Sequence, residues 1–297
     1  EEIPNVVRRP LILTGLGGAF PFFASALFFL SGFLTLFSAL PLMLLFWRYP
    51  RQIRLVGLLT NTALVIGLSK LSGSVEWGRA YGAGVVFLCV LAPVVLLVPD
   101  LIFRGRWNLT KAGALAWFGS LGLLAVAVWA WSHNVGMGWV EPLRAGVHSL
   151  MTQLTEMNQS TGSPMPWGDV PVDQVEPQIL LDMPSGIALA VLLMVWISMV
   201  SVIRVVPAEM KLQMGMDPLV LSRWKAPEWW VWPTLVFGAL MLKDFGRFSE
   251  IAYSGLRMTL AVYVLEGLSV LAFVLDRFKI RGLGRSLIQG VAVFGLL

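Results

Sequence analysis

The stretch Leu11–Trp47, LILTGLGGAFPFFASALFFLSGFLTLFSALPLMLLFW, carries no charged residue from end to end. A bilayer core about 30 Å thick is crossed by roughly 20 apolar residues, each rising about 1.5 Å along a helix. The length therefore predicts two spans turning near Ser31-Gly32, each with one proline, Pro21 and Pro41. Arg48, Arg51 and Arg54 close this hairpin. Working outward, Leu55–Ser69 reads as a short third span, Tyr81–Phe103 as the fourth and Ala112–Trp131 as the fifth. A sixth runs from Pro184 to Ile203. Trp229–Leu242 is short, Ile251–Leu275 is long, and a last span begins near Ser286 and is expected to continue beyond Leu297.

The composition agrees. Of 297 residues 57% are hydrophobic and 13% charged, against about 25% charged in a soluble domain. Too few charges remain to cover a water-facing surface. This excludes a soluble enzyme, a disordered chain and a coiled coil. One cysteine, Cys89, rules out an intrachain disulfide. The expected fold is an all-α, polytopic membrane bundle of about eight or nine transmembrane helices, whose first partner is the lipid bilayer. Residues 1–131 form the N-terminal membrane helices, 132–183 an acidic extracytoplasmic loop, and 184–297 the C-terminal membrane helices.

The net charge of +5 sorts by side of the membrane rather than suggesting nucleic acid. With a cytoplasmic N-terminus, only Lys70, Arg79, Arg144, Lys243 and Arg247 fall outside, and Arg257 lies within a span. The other sixteen of the 22 basic residues fall inside, as the excess of Lys and Arg in cytoplasmic loops requires. The loop is acidic, with Glu141, Glu156, Asp169, Asp173, Glu176 and Asp182 against one Arg144. Its first half spaces Val140, Leu143, Val147, Leu150, Met151, Leu154 and Met157 by three and four, the period of an amphipathic helix. That helix either lies flat in the outer interface or covers an external cavity. Asn158–Val175 reads as irregular.

No catalytic constellation emerges. His133 and His148 lack metal-site spacing, and no nucleophile elbow, phosphate loop or dinucleotide fingerprint is present. Neither a metal nor a cofactor is expected, and the chain does not read as an enzyme. The informative residues are ionisable groups inside a span, because burying a charge in lipid costs at least about 2.5–3.5 kcal/mol. The eighth span holds two, Arg257 and Glu266. Nine positions apart, they point to nearly opposite faces and are separated by roughly 13 Å along the axis. Arg257 shares a face with Tyr253, and Glu266 has Tyr263 one turn away. These four, with Asn61 in the third span, are the candidate ligand-binding residues. Gly15, Gly18 and Ala19 place small residues where another helix can approach. Trp229, Trp230 and Trp232, beside Lys225 and Pro227, suit a cytoplasmic-side aromatic belt.

Several short motifs carry a resemblance. Met183-Pro184 opens a span that ends at Arg204. Ala226–Pro233 and Tyr263–Val270 follow, and Leu40-Pro-Leu42 with Arg48 ends the first hairpin. Together they resemble the YybS-like bacterial membrane proteins (domain of unknown function 2232). One departure is Glu266, where the family's glutamine is expected. The resemblance implies an architecture distantly similar to the substrate-binding subunits of energy-coupling-factor transporters and to the rod-shape protein MreD. Those subunits dock a partner through small residues of the first helix, which Gly15–Ala19 match by position.

Two functions follow as expectations. The first is a transporter-like module of the bacterial inner membrane, binding a small solute in an outward-facing cavity between the loop helix and the first, third and eighth spans. There Arg257 recognises an anion and Glu266 is a polar or protonatable anchor. The alternative is a non-catalytic scaffold subunit of a larger envelope complex, with other membrane subunits as partners.

Overall fold

The computed structural model describes residues 16–46, 49–71, 77–103, 109–136, 141, 144, 146–149, 151–152, 155–156, 172–205, 224–242 and 247–278. Among these every regular element is helical and no strand occurs. Five helices are long and apolar enough to cross a membrane: Arg51–Leu71, Trp77–Leu101, Thr110–Asn134, Val175–Ile203 and Ile251–Leu275. Gly15 and the last span expected from Ser286 lie outside the described residues, as does most of Asn158–Val175.

The chain divides into two compact units, Glu1–Ala127 with Ala190–Asp217, and Val128–Leu189 with Pro218–Leu297. In the first unit the hairpin turns where expected. Helix α1 (Leu16–Leu30) ends at Ser31-Gly32, and Gly32 has φ 70°, the left-handed region open to glycine. A 3-10 turn, Phe33–Phe37, leads into α2 (Ala39–Phe46). The buried Ser25 hydroxyl donates to the Ser38 carbonyl at 2.7 Å and so ties the two arms. Helix α3 (Arg51–Leu71) then packs against α4 (Trp77–Ala92), which continues through a π-helical turn, Pro93–Leu97, into α5 (Val98–Phe103). The π turn follows from the sequence. Pro93 and Pro99 both lack an N–H and would clash with the preceding turn of a regular α-helix.

Helix α6 (Leu109–Val135) lies against α4, with the Ser120 hydroxyl donating to the Val90 carbonyl at 2.8 Å. Helix α7 (Val172–Val205) starts at Val172 rather than at Pro184. Pro184 is a good first residue for a helix, but here the helix runs through it. Hydroxyls serve the carbonyls just before it: Ser185 donates to Asp182 at 2.8 Å, and Ser254 donates to Leu181 at 3.3 Å. In the second unit α8 (Val231–Met241) packs on α9 (Arg247–Arg277). The described positions between 141 and 156 are helical, and their pattern is amphipathic as expected. Val147 and Met151 are buried, while Glu141, Arg144, His148, Thr152 and Glu156 are exposed.

Two close crossings have no space for a side chain. A Cβ on Gly84 would lie 2.5 Å from Ile66 Cγ1, and one on Gly255 would lie 2.6 Å from the Phe237 ring. Gly84→Ala and Gly255→Ala should each destabilise the purified protein by about 1–3 kcal/mol, read as a lowered melting temperature. Gly67→Ala, which meets nothing within 4 Å, should leave it unchanged or raise it slightly.

Candidate functional site

Charges inside apolar helices define the sites to consider. The most deeply buried is Arg54, at 1% exposure, on the first turn of α3. The sequence reading groups it with Arg48 and Arg51 as a charge at the membrane surface, but the structure turns it inward. Pro99 has no N–H, so the Val95 carbonyl four residues earlier has no α-helical donor. Arg54 Nη1 donates to that carbonyl at 3.3 Å, and Nη2 pairs with Asp100 Oδ1. One guanidinium thus satisfies the carbonyl released by the proline and neutralises the acid beside it. A signal for this was present: Asp100 is the sole acid in the run 77–103.

Two turns along the same face of α3, Asn61 is fully buried, and neither its amide nitrogen nor its oxygen has a hydrogen-bond partner among the described residues. Ser198 Oγ, in the same unit, is likewise unpartnered. Buried orphan groups cost about 1–3 kcal/mol each.

The second unit holds the other candidates. Arg257 Nη1 pairs with Asp182 Oδ1 at 2.6 Å, and its guanidinium lies 5.4 Å from the Tyr253 ring centroid. The pair is only half-buried, at 44% and 34% exposure. Further along α7 toward its start, Glu176 accepts from His148 Nδ1 at 3.1 Å and lies 3.6 Å from Arg144 Nε. These contacts hold the loop helix on the first turns of α7. Neither Asp182 nor Glu176 stands out in the sequence, because both read as members of an acidic loop.

Helix α9 is covered on two sides. Ser254 and Arg257 face α7. Gly255 faces Phe237 of α8, the Thr259 carbonyl accepts from the Trp230 indole at 3.1 Å, and the Ser269 hydroxyl donates to the Trp224 carbonyl at 2.9 Å. At about 100° per residue, Gly255, Thr259 and Glu266 lie within about 40° of one another. Glu266 therefore belongs to the side of α9 that carries α8. It is half-buried, as is Tyr263, and makes no hydrogen bond or ion pair among the described residues. The structure keeps Arg257 and Glu266 on separate faces. Asn61 belongs to the other unit. Of the small residues of the first span, Gly18 and Ala19 lie on α1. Among the described residues no group of three His, Cys, Asp or Glu is placed to hold a metal ion.

Long apolar helices carrying a few specifically placed ionisable groups define a membrane protein with several apolar helices. The chain matches the family model described as a predicted membrane protein (DUF2232) over residues 18–296, and it belongs to that family. No curated protein and no solved structure matches it.

The Arg54 site gives a directional prediction. Asp100→Ala strands a buried cation, whereas Arg54→Ala leaves an acid that reaches solvent. Asp100→Ala should therefore cost more, about 3–5 kcal/mol, and Arg54→Met should recover part of the loss in the Asp100→Ala background. Melting temperatures of the three variants check this.

Proposed function

We propose that the protein is a non-catalytic, transporter-like module of a bacterial inner membrane that binds a small solute in an outward-facing cavity. In this reading the N-terminus is cytoplasmic and the chain crosses about nine times. The observation that carries the reading is Glu266. It lies near the middle of the candidate span Ile251–Leu275, it is only half-buried, and no hydrogen bond or ion pair neutralises it among the described residues. An acid at such a position is costly and is ordinarily retained for a ligand, an ion or a proton. Eighteen residues separate Arg257 from Leu275, a rise of about 27 Å. The Arg257–Asp182 pair then sits at the outer rim, with Glu266 about 13 Å deeper. The loop helix, held at Glu176, covers the same outer end. Energy would come from a partner or an ion gradient.

One observation favours the scaffold reading. Arg257 is already balanced by Asp182, as a purely structural charge would be.

Thermal unfolding of the purified chain against a broad panel of small solutes separates the two. The solute-binding reading expects at least one compound to raise the melting temperature and Glu266→Ala to abolish that shift. A panel in which nothing stabilises the protein, together with a fixed co-purifying membrane partner, would replace it with the scaffold.

A further inference from the structure

Helix α8 has 11 residues, a rise of only about 16 Å, yet the segment that leads into it reaches much further along α9. Trp224 is level with Ser269, and Trp230 is level with Thr259. Six residues thus run beside ten residues of α9, a distance of about 15 Å or roughly 2.5 Å per residue. An α-helix cannot cover that, but extended and 3-10 backbone can. Trp224–Pro227 is indeed non-helical, and Glu228–Trp230 forms a 3-10 turn.

Both anchoring residues, Ser269 and Thr259, lie inside the candidate span Ile251–Leu275. Irregular backbone therefore runs alongside the interior of an apolar, membrane-length helix. At such depth it persists only where protein buries it or where it lines a wet cavity. Broken spans of this kind supply unpaired backbone groups to ligands.

Glu266 faces this segment, three residues from Ser269 and so about 4.5 Å along the axis. Stepping about 2.5 Å per residue from Trp224 brings Lys225 and Ala226 to the same level. Lys225 is exposed, Glu266 is half-buried, and no ion pair joins them or ties either elsewhere among the described residues. Opposite charges thus stand at about the same level along α9, on neighbouring segments, with no ion pair between them among the described residues.

Building on the solute-binding reading, we infer that this gap is a slot for a small zwitterion, an ammonium and a carboxylate in one molecule. Lys225 takes the carboxylate, Glu266 takes the ammonium, and the non-helical backbone at Lys225-Ala226 completes the hydrogen bonding. The charge pattern selects against simpler ligands. A lone cation meets the like charge of Lys225 and a lone anion meets that of Glu266. A zwitterion satisfies both, and charges removed from water require such pairing.

The test uses the full chain in detergent, with glycine, L-leucine and glycine betaine as zwitterions and acetate and methylamine as their separated halves. At least one zwitterion should raise the melting temperature by about 3 °C or more near saturation, and neither half should. Lys225→Met and Glu266→Gln should each remove the shift, and the exchange Lys225→Glu with Glu266→Lys should restore it. Equal stabilisation by acetate or methylamine, or a shift that survives both single variants, would overturn the slot. Stabilisation by an uncharged solute but no zwitterion would also overturn it, while leaving the solute-binding reading intact. Failure of every solute would remove both.

Discussion

The interaction between Arg54, Asp100 and the Val95 carbonyl organises the first unit. Each group alone would be costly within an apolar bundle: a buried cation, an acid on a membrane-length helix, and a carbonyl that Pro99 leaves without its donor. Brought together, they satisfy one another. The contact joins the start of α3 to the far end of the α4–α5 rod and so sets the antiparallel register of the two. Gly84 then falls opposite Ile66 and Thr62, where only a glycine fits the closest approach. The π turn at Pro93–Leu97 belongs to the same arrangement, since it accommodates the two prolines without ending the helix.

The second unit repeats the principle with one exception. Arg257 is matched by Asp182, and Glu176 by His148 and Arg144, so the first halves of α7 and α9 and the loop helix are tied by charge. Glu266 departs from this pairing. It lies on the other side of α9, toward a stretch of backbone that is itself irregular. A half-buried acid and a non-helical segment are each unfavourable in an apolar setting, and their juxtaposition is the feature that a purely structural account leaves without a reason.

Much of the fold is legible in the sequence because apolar run length and turn chemistry are local. The turn at Ser31-Gly32, the helices around the third, fourth, fifth and eighth apolar runs, and the apolar stripe of the loop helix all follow from spacing. The less legible features depend on tertiary partners. Proline at 184 reads as a helix start, but α7 begins twelve residues earlier, at Val172, and runs through it. Asp182 reads as a loop acid until the facing Arg257 gives it a role, and Asp100 gains its role only through Arg54. The seventh run reads only as short, whereas its lead-in gains distance by extending rather than coiling. Arg257 and Glu266 were legible as exceptions to an apolar span, although not which neighbours each would face.

The claim that these observations bear on most directly is that Glu266 lines a water-filled space open to the outside. Cys89, the single cysteine, makes it measurable by thiol labelling. In a Cys89→Ser background, a cysteine at position 266 should react with a membrane-impermeant thiol reagent added to the outer face of intact cells. A cysteine at 260, on an exposed apolar position of the same helix, should not. Position 266 reacting only with a lipid-soluble reagent, or not at all, would contradict the account.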